Sequence, residues 1–444
     1  MNTKINFRLL LVIGLITLVF QSCQNDYDHL YQTQMVSVQL HYPDNFEPVA
    51  NVIVSLVNST NNIAYTDSTD ADGIATFEVP FGIYDAAVSE MRTLSATSYI
   101  FTGNKSLSVT ESDKNSVVTN IELSVSQTSA IIIKELYNGG CQKDDGSGSF
   151  NRGQYTILYN NSASSVSLDN FGFGAAFPYN SNQTNYFFEQ GELSFVKEGW
   201  IPAAMGIWYF PDGISLAPGE QIVVAINSAV DNTVTYSQSI NFANSVYYTA
   251  YDINVYTHEL YYPAPSSLIP TSHYLSAVKY GSGSAWTFSV SSPAFFIFKT
   301  EGETPAEFAN NADNLGNYNG SSTMIYSKVP MDWVLDGIEV YRQGYDNQKR
   351  LPSAIDAGYV YLNNTYGYTL YRNVNKEATE ALLENAERLV YSYSGGTTDL
   401  VDGSTDPSGI DAEASIANGA RIIYSDTNSA TNDFHQRRKA SLRD

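Results

Sequence analysis

Cysteine is nearly absent from this chain, with two in 444 residues, Cys23 and Cys141. A disulfide framework is therefore excluded, and stability has to come from buried apolar surface. Cys141 closes the run Asn138-Gly139-Gly140-Cys141, where a buried, inert thiol at a strand end is expected rather than a nucleophile. Basic residues are also scarce, 23 against 46 acidic ones, for a net charge of -23. Nucleic-acid binding needs lysine and arginine to neutralise phosphates, so no nucleic-acid partner is expected. Attachment to a membrane surface through basic patches is excluded on the same ground. The five histidines, His29, His41, His258, His273 and His435, show no metal-ligand spacing. Neither a Gly-x-Ser-x-Gly elbow nor a phosphate-binding glycine loop occurs. No catalytic residue, metal or cofactor is assigned.

Long apolar runs are confined to the start. Lys4 and Arg8 precede a nearly unbroken stretch from Leu9 to Phe20, which ends in Gln21-Ser22-Cys23. A run of about a dozen residues is too short to span ~30 Å of hydrocarbon as a helix. It has the zones of a cleaved signal peptide over residues 1–22, the alternative being a retained anchor helix. Cys23 supplies the thiol that lipoprotein processing acylates, which implies a lipid anchor. Gln24, Asn25, Asp26 and Asp28 follow at once. They resemble the acidic export signal of Bacteroidota lipoproteins, which implies the outer face of the outer membrane. The alternative is an ordinary polar tether over residues 23–33.

Tyrosine is abundant, at 33 residues, and accompanies frequent Val, Ile, Thr, Asn, Ser and Gly. That is the composition of strands and turns, so an all-β fold is expected. Val36, Val38 and Leu40 alternate with polar residues; Val52, Val54 and Leu56 do the same, as do Ala75, Phe77 and Val79. Thr69-Asp70-Ala71-Asp72-Gly73 reads as the turn between the last two strands. Asp70, Asp72 and Gly73 also echo part of a calcium loop, but turn chemistry explains them without metal.

Pro48-Val49-Ala50-Asn51, the 69–73 turn and Gly82-Ile83-Tyr84 resemble the carboxypeptidase-regulatory-like (prealbumin-like) fold, which implies a β-sandwich over 34–127. A second β region begins at Ala130. Glu135, Tyr159-Asn160, Leu216-Ala217-Pro218-Gly219, Asp336 to Glu339 and Thr369 to Arg372 fall in the order of a lamin-tail domain. That resemblance implies an immunoglobulin-like sandwich over 129–444, with long insertions near 230–325 and 374–417. Phe171 or Phe173 stands where the family has tryptophan. The whole arrangement, with Arg350-Leu351-Pro352, Asp356-Ala357-Gly358-Tyr359 and Asn432-Asp433-Phe434, resembles a Bacteroidota surface-lipoprotein family of unknown function. Such lipoproteins often work beside TonB-dependent uptake receptors, which suggests such a receptor as a partner.

Two short helices are expected within the second region. Thr304-Pro305-Ala306-Glu307 carries a capping threonine, a proline at N1 and a glutamate at N3. Leu382, Leu383, Ala386 and Leu389 are at helical spacing within 376–389. Gly395 to Gly409 reads as a mobile loop. Tyr247, Tyr248, Tyr251, Tyr256, Tyr261 and Tyr262 crowd the first insertion. Rings with a polar edge can stack on sugars or planar ligands, although alternate tyrosines could equally face a core. Three functions stay open: a non-enzymatic surface lipoprotein that binds a ligand or docks on a receptor, a glycan hydrolase with paired carboxylates in a cleft, and a structural or adhesive spacer.

Overall fold

The computed structural model describes residues 33–443 except 45, 95, 96, 111–116, 128 and 190. Cys23, read as the lipidation site, and Gln24, Asn25, Asp26 and Asp28, read as an export signal, lie outside that range. The protein is all-β, with strands in several sheets and only short helices among the described residues. The described residues divide into two compact units, one of 33–41, Glu47–Ala86 and Lys105–Ile121, the other of Tyr42–Phe46, Ala87–Asn104 and 122–443.

In the first unit the period-two pattern forms strands as expected. Thr33–His41 buries Val36, Val38 and Leu40 on one face. It pairs antiparallel with Ile74–Pro80, whose Ala75, Phe77 and Val79 face the same core. Asp70 fastens the turn between Ala64–Ser68 and Ile74–Pro80, its Oδ1 accepting from Asp72 N at 3.0 Å and Ile74 N at 2.9 Å. Gly73 completes that turn with φ of 79°, a backbone conformation that suits glycine.

The second unit is built on two six-stranded sheets. The first runs Tyr248–Thr249, Gln221–Ala225, Tyr155–Asn160, Ile131–Tyr137, Thr369–Arg372, Phe434–Arg437. The second runs Ser276–Lys279, Gly206–Tyr209, Phe171–Ala175, Ala294–Lys299, Val334–Tyr341, Val360–Tyr361. Both central strands of the first sheet are buried along their whole length, which accounts for their continuous apolar runs. Ile133, Leu158, Val224 and Leu370 from one sheet share a single cluster with Phe173, Trp208, Phe295 and Ile338 from the other, giving a two-layer sandwich. Phe173 is at its centre, with its ring 5.6 Å from Phe295 and 5.7 Å from Trp286. The stretch read as a first insertion supplies Ala294–Lys299, which lies inside the second sheet between Phe171–Ala175 and Val334–Tyr341.

The helix Pro305–Asn310 forms with the expected capping box: Glu307 N donates to Thr304 Oγ1 at 3.2 Å and Thr304 N to Glu307 Oε2 at 2.9 Å. The other helix is shorter than its leucine spacing suggested, ending at Glu380. Asn385 explains the break. Its amide donates to Thr379 O at 2.8 Å and Arg421 O at 2.7 Å, which leaves Leu383 at 92% exposure. The 395–409 segment is also more firmly held than its composition indicates. Thr397 is buried and accepts from Gln436 Nε2 at 2.9 Å, and Asp406 accepts from Val374 N at 2.9 Å.

Phe173→Ala should cost about 3–5 kcal/mol by removing a fully buried ring from this cluster. Urea unfolding checks it through the midpoint, and a loss below ~1 kcal/mol would mean that the neighbouring rings collapse into the space.

Candidate functional site

The acidic residues of the lamin-tail-like pattern are occupied with each other and with the backbone. The strand Ile131–Tyr137 bulges at Lys134, where the register to Tyr155–Asn160 skips one residue. Its ladder to Thr369–Arg372 pairs Leu136 with Leu370 and Glu135 with Tyr371. Next to that ladder, side chains meet both backbone groups of Ile133. Ile133 N donates to Asp336 Oδ2 at 2.6 Å, and Arg372 Nε donates to Ile133 O at 2.7 Å. Arg372 also binds Asp336 directly, reaches Asp426 at 3.2 Å and Asp433 at 3.8 Å, and lies over the Phe434 ring. Nearby, Arg350 grips Glu339 through Nε at 2.8 Å and Nη2 at 2.6 Å, while Glu339 Oε2 accepts from the backbone of Arg350 and Leu351. Asp356 accepts from Glu339 N at 2.7 Å and Ala430 N at 2.8 Å. Glu135 takes the Tyr155 hydroxyl at 2.7 Å and Ser441 N at 3.0 Å.

Among the described residues, seven carboxylates (Glu135, Asp336, Glu339, Asp356, Asp406, Asp426 and Asp433) are buried with only three cations (Lys134, Arg350 and Arg372). Burial raises the carboxyls of Asp336, Asp356, Asp406, Asp426 and Asp433 above the usual carboxylate range. Burial pushes Asp426 up to about 7 against the pull of Arg372, with Asp336 and Asp433 adding repulsion. Its Oδ2 is buried and has no hydrogen-bond partner among the described residues. Burial likewise pushes Asp356 up to about 7. His435 moves the other way, down to about 3, because burial and Arg437 both disfavour its cation.

Away from this network a cleft of about 280 Å³ opens in the second unit. Its rim is the hairpin Cys141–Gln142 and Ser149–Phe150, whose turn Asp144 pins by accepting from Ser237 N at 3.0 Å and Ser237 Oγ at 2.8 Å. Lys143, at the start of the turn, and Arg152, just beyond the second strand, line the cleft. Arg152 lies 4.9 Å over the Phe150 ring, and Phe150 stacks on Tyr236 at 4.2 Å. Gln154 fixes the floor, donating to Asn138 O at 3.0 Å and Phe288 O at 2.9 Å while accepting from Phe288 N and Asn227. Tyr179 closes one side, its hydroxyl donating to Phe288 O at 2.8 Å. Neither this cleft nor a more open depression of about 390 Å³ beside Tyr209 and Lys279 has an aspartate or glutamate in its lining.

Of the six tyrosines singled out in the sequence, Tyr261 alone lines this cleft. Tyr256 and Tyr262 are core residues, their rings 5.4 and 6.3 Å from that of Trp208. Tyr262 also bonds through its hydroxyl to the Trp286 backbone. Tyr248 stacks on His273 at 4.0 Å, Tyr251 meets Tyr274 edge-on at 5.4 Å, and Tyr247 packs against a separate cluster around Tyr155. Lys143, Arg152, Tyr179 and Tyr236 were not singled out in the sequence. The one available signal was a pair of cations closing a glycine-rich turn in an otherwise acidic chain. Cys141 is buried beside the hairpin, with burial raising its thiol.

The buried acids make stability depend on pH with a definite sign. Asp356 and Asp426 titrate near 7 when folded and near ~4 when unfolded, so the folded state holds the extra protons. Their contribution is complete below about pH 4 and is lost as pH rises toward 7. His435 acts oppositely, contributing above its ordinary value of ~6.5 and losing that as pH falls toward 3. Asp426→Asn should therefore flatten the fall in urea midpoint between pH 5 and pH 8, and a slope identical to that of the parent would contradict the assignment.

A family model described as "Protein of unknown function (DUF4876)" matches residues 217–389. The crystal structure of a DUF4876 family protein from Bacteroides thetaiotaomicron superposes with a TM-score of 0.50 at 22% identity, covering 90% of this chain and 94% of that one. A DUF3823 family protein from Parabacteroides merdae (9% identity, TM-score 0.16, 34% of this chain and 68% of that one) superposes too poorly to bear on the fold. The same holds for the major pilin SpaD from Corynebacterium diphtheriae (12% identity, TM-score 0.17, 36% and 42%). No curated protein matches the chain. By fold, and over its central segment by sequence, the chain is similar to DUF4876 proteins.

Proposed function

We propose that the protein is a non-enzymatic, lipid-anchored binding protein of the outer cell surface, with its ligand site in the Tyr261 cleft. One observation carries this reading: the cleft offers aromatic rings and polar groups on a hydrogen-bonded floor, while its lining holds no carboxylate. A glycan hydrolase calls for an acid and a base on either side of a glycosidic bond. Here the buried carboxylates join arginines and backbone amides within the sandwich. A pure spacer has no use for a cleft with free polar groups. The sequence around Cys23 supports the anchor, and the resemblance to surface lipoproteins supports an outer-membrane TonB-dependent receptor as partner. The prealbumin-like and lamin-tail-like assignments of the two sandwiches belong to the same proposal. No described helix is long and apolar enough to cross a membrane.

Two measurements test this. On an array of neutral and acidic glycans the full chain should retain at least one class, Tyr261→Ala should lose it, and no product should accumulate; released sugar would establish a hydrolase instead. In cells, Cys23→Ala should shift the protein from the membrane to the soluble fraction and remove any co-purifying receptor. Unchanged membrane association would overturn the anchor.

A further inference from the structure

We infer that the Tyr261 cleft is specific for a small carboxylated sugar, with Arg152 as the group that reads the charge; this rests on the binding reading above. The chain carries a net charge of -23, yet this cleft is lined by two cations, Lys143 and Arg152, and by no carboxylate. Arg152 is half-buried, forms no ion pair among the described residues and lies over the Phe150 ring. With its Cζ 4.9 Å from the Phe150 ring centre and no ion pair of its own, the guanidinium has donors that can engage a carboxylate through two parallel hydrogen bonds. Lys143 adds a second positive charge at the rim, shared with its neighbour Asp145. Asp144, the other nearby acid, is engaged by Ser237 and so does not compete for Arg152.

The remaining lining favours a sugar over a flat aromatic acid. The hydroxyls of Ser149, Tyr236 and Tyr261 and the amide of Asn151 have no hydrogen-bond partner among the described residues, which suits a polyhydroxylated ring. Tyr261 and Tyr236 also present ring surface on which the CH face of a pyranose can stack. A volume of about 280 Å³ falls just below the ~300–1,000 Å³ usual for ligand clefts, which suits a small ligand such as a single sugar ring. The floor is set in advance by Gln154 and Asn227, so little ordering is needed on binding.

The test is calorimetric or saturation-transfer titration of the full chain with glucuronate, its methyl ester and glucose. Glucuronate should bind at least tenfold tighter than the other two, and the preference should shrink as salt is raised. Arg152→Gln should abolish the preference with no change in melting temperature, Arg152→Lys should keep part of it, and Tyr261→Ala should weaken all three ligands. Equal binding of the three, unaffected by Arg152→Gln but lost in Tyr261→Ala, would overturn the charge specificity and leave the cleft as a neutral sugar site. No binding of any of them at millimolar concentration would overturn the inference, and the glycan array then decides separately whether the cleft binds another class.

Discussion

Ile133 is the point on which the second sandwich turns. Its N–H and C=O sit beside the short ladder between Ile131–Tyr137 and Thr369–Arg372, in a strand buried on every side. Backbone groups left unpaired at that depth cost several kcal/mol each. Asp336, from the opposite sheet, takes the N–H, and Arg372 takes the C=O, while the two side chains bind each other. One charged pair thereby satisfies a bulged strand and stitches the two layers together. A hydrophobic pair could fill the same volume, but it could not hydrogen-bond the Ile133 peptide groups.

The arrangement also determines where the protein's charge can act. Asp426 and Asp433 gather around Arg372, which cannot neutralise three carboxylates, so burial and mutual repulsion keep protons in the cluster. Arg350 and Glu339 form a second buried pair, wrapped by backbone carbonyls from Pro178, Ser292 and Val340. Acids that in sequence could pass for catalytic groups are thus framework. The cleft is built from different parts of the chain, in which a cation is free and the adjacent acid is engaged.

Much of the fold was legible in sequence because strands with one buried face alternate. Val36, Val38 and Leu40, and Ala75, Phe77 and Val79, are buried as their period implies. The capping box at Thr304 was legible for the same reason, its bonds being local. Ala294–Lys299 was not, since a fully buried strand has no period and its partners at Phe171–Ala175 and Val334–Tyr341 are distant in sequence. The helix expected through Leu389 stops early because Asn385 bonds to the distant Arg421 carbonyl, which no local pattern reveals. The tyrosine cluster in sequence could not tell Tyr261, which lines the cleft, from Tyr256 and Tyr262 in the core. That distinction depends on Trp208, which contacts them from another strand.

The central claim is that Asp336 and Arg372 work as one unit across the two layers, and a double-mutant cycle in urea unfolding tests it most directly. Asp336→Leu and Arg372→Met should each cost about 3–5 kcal/mol, since each leaves an Ile133 backbone group unpartnered; the first also removes one of the three carboxylates around Arg372, and the second leaves those carboxylates without their cation. The double variant should cost clearly less than their sum, with a coupling above ~1 kcal/mol. Additivity within ~0.5 kcal/mol would show that the two residues act independently and would contradict the account.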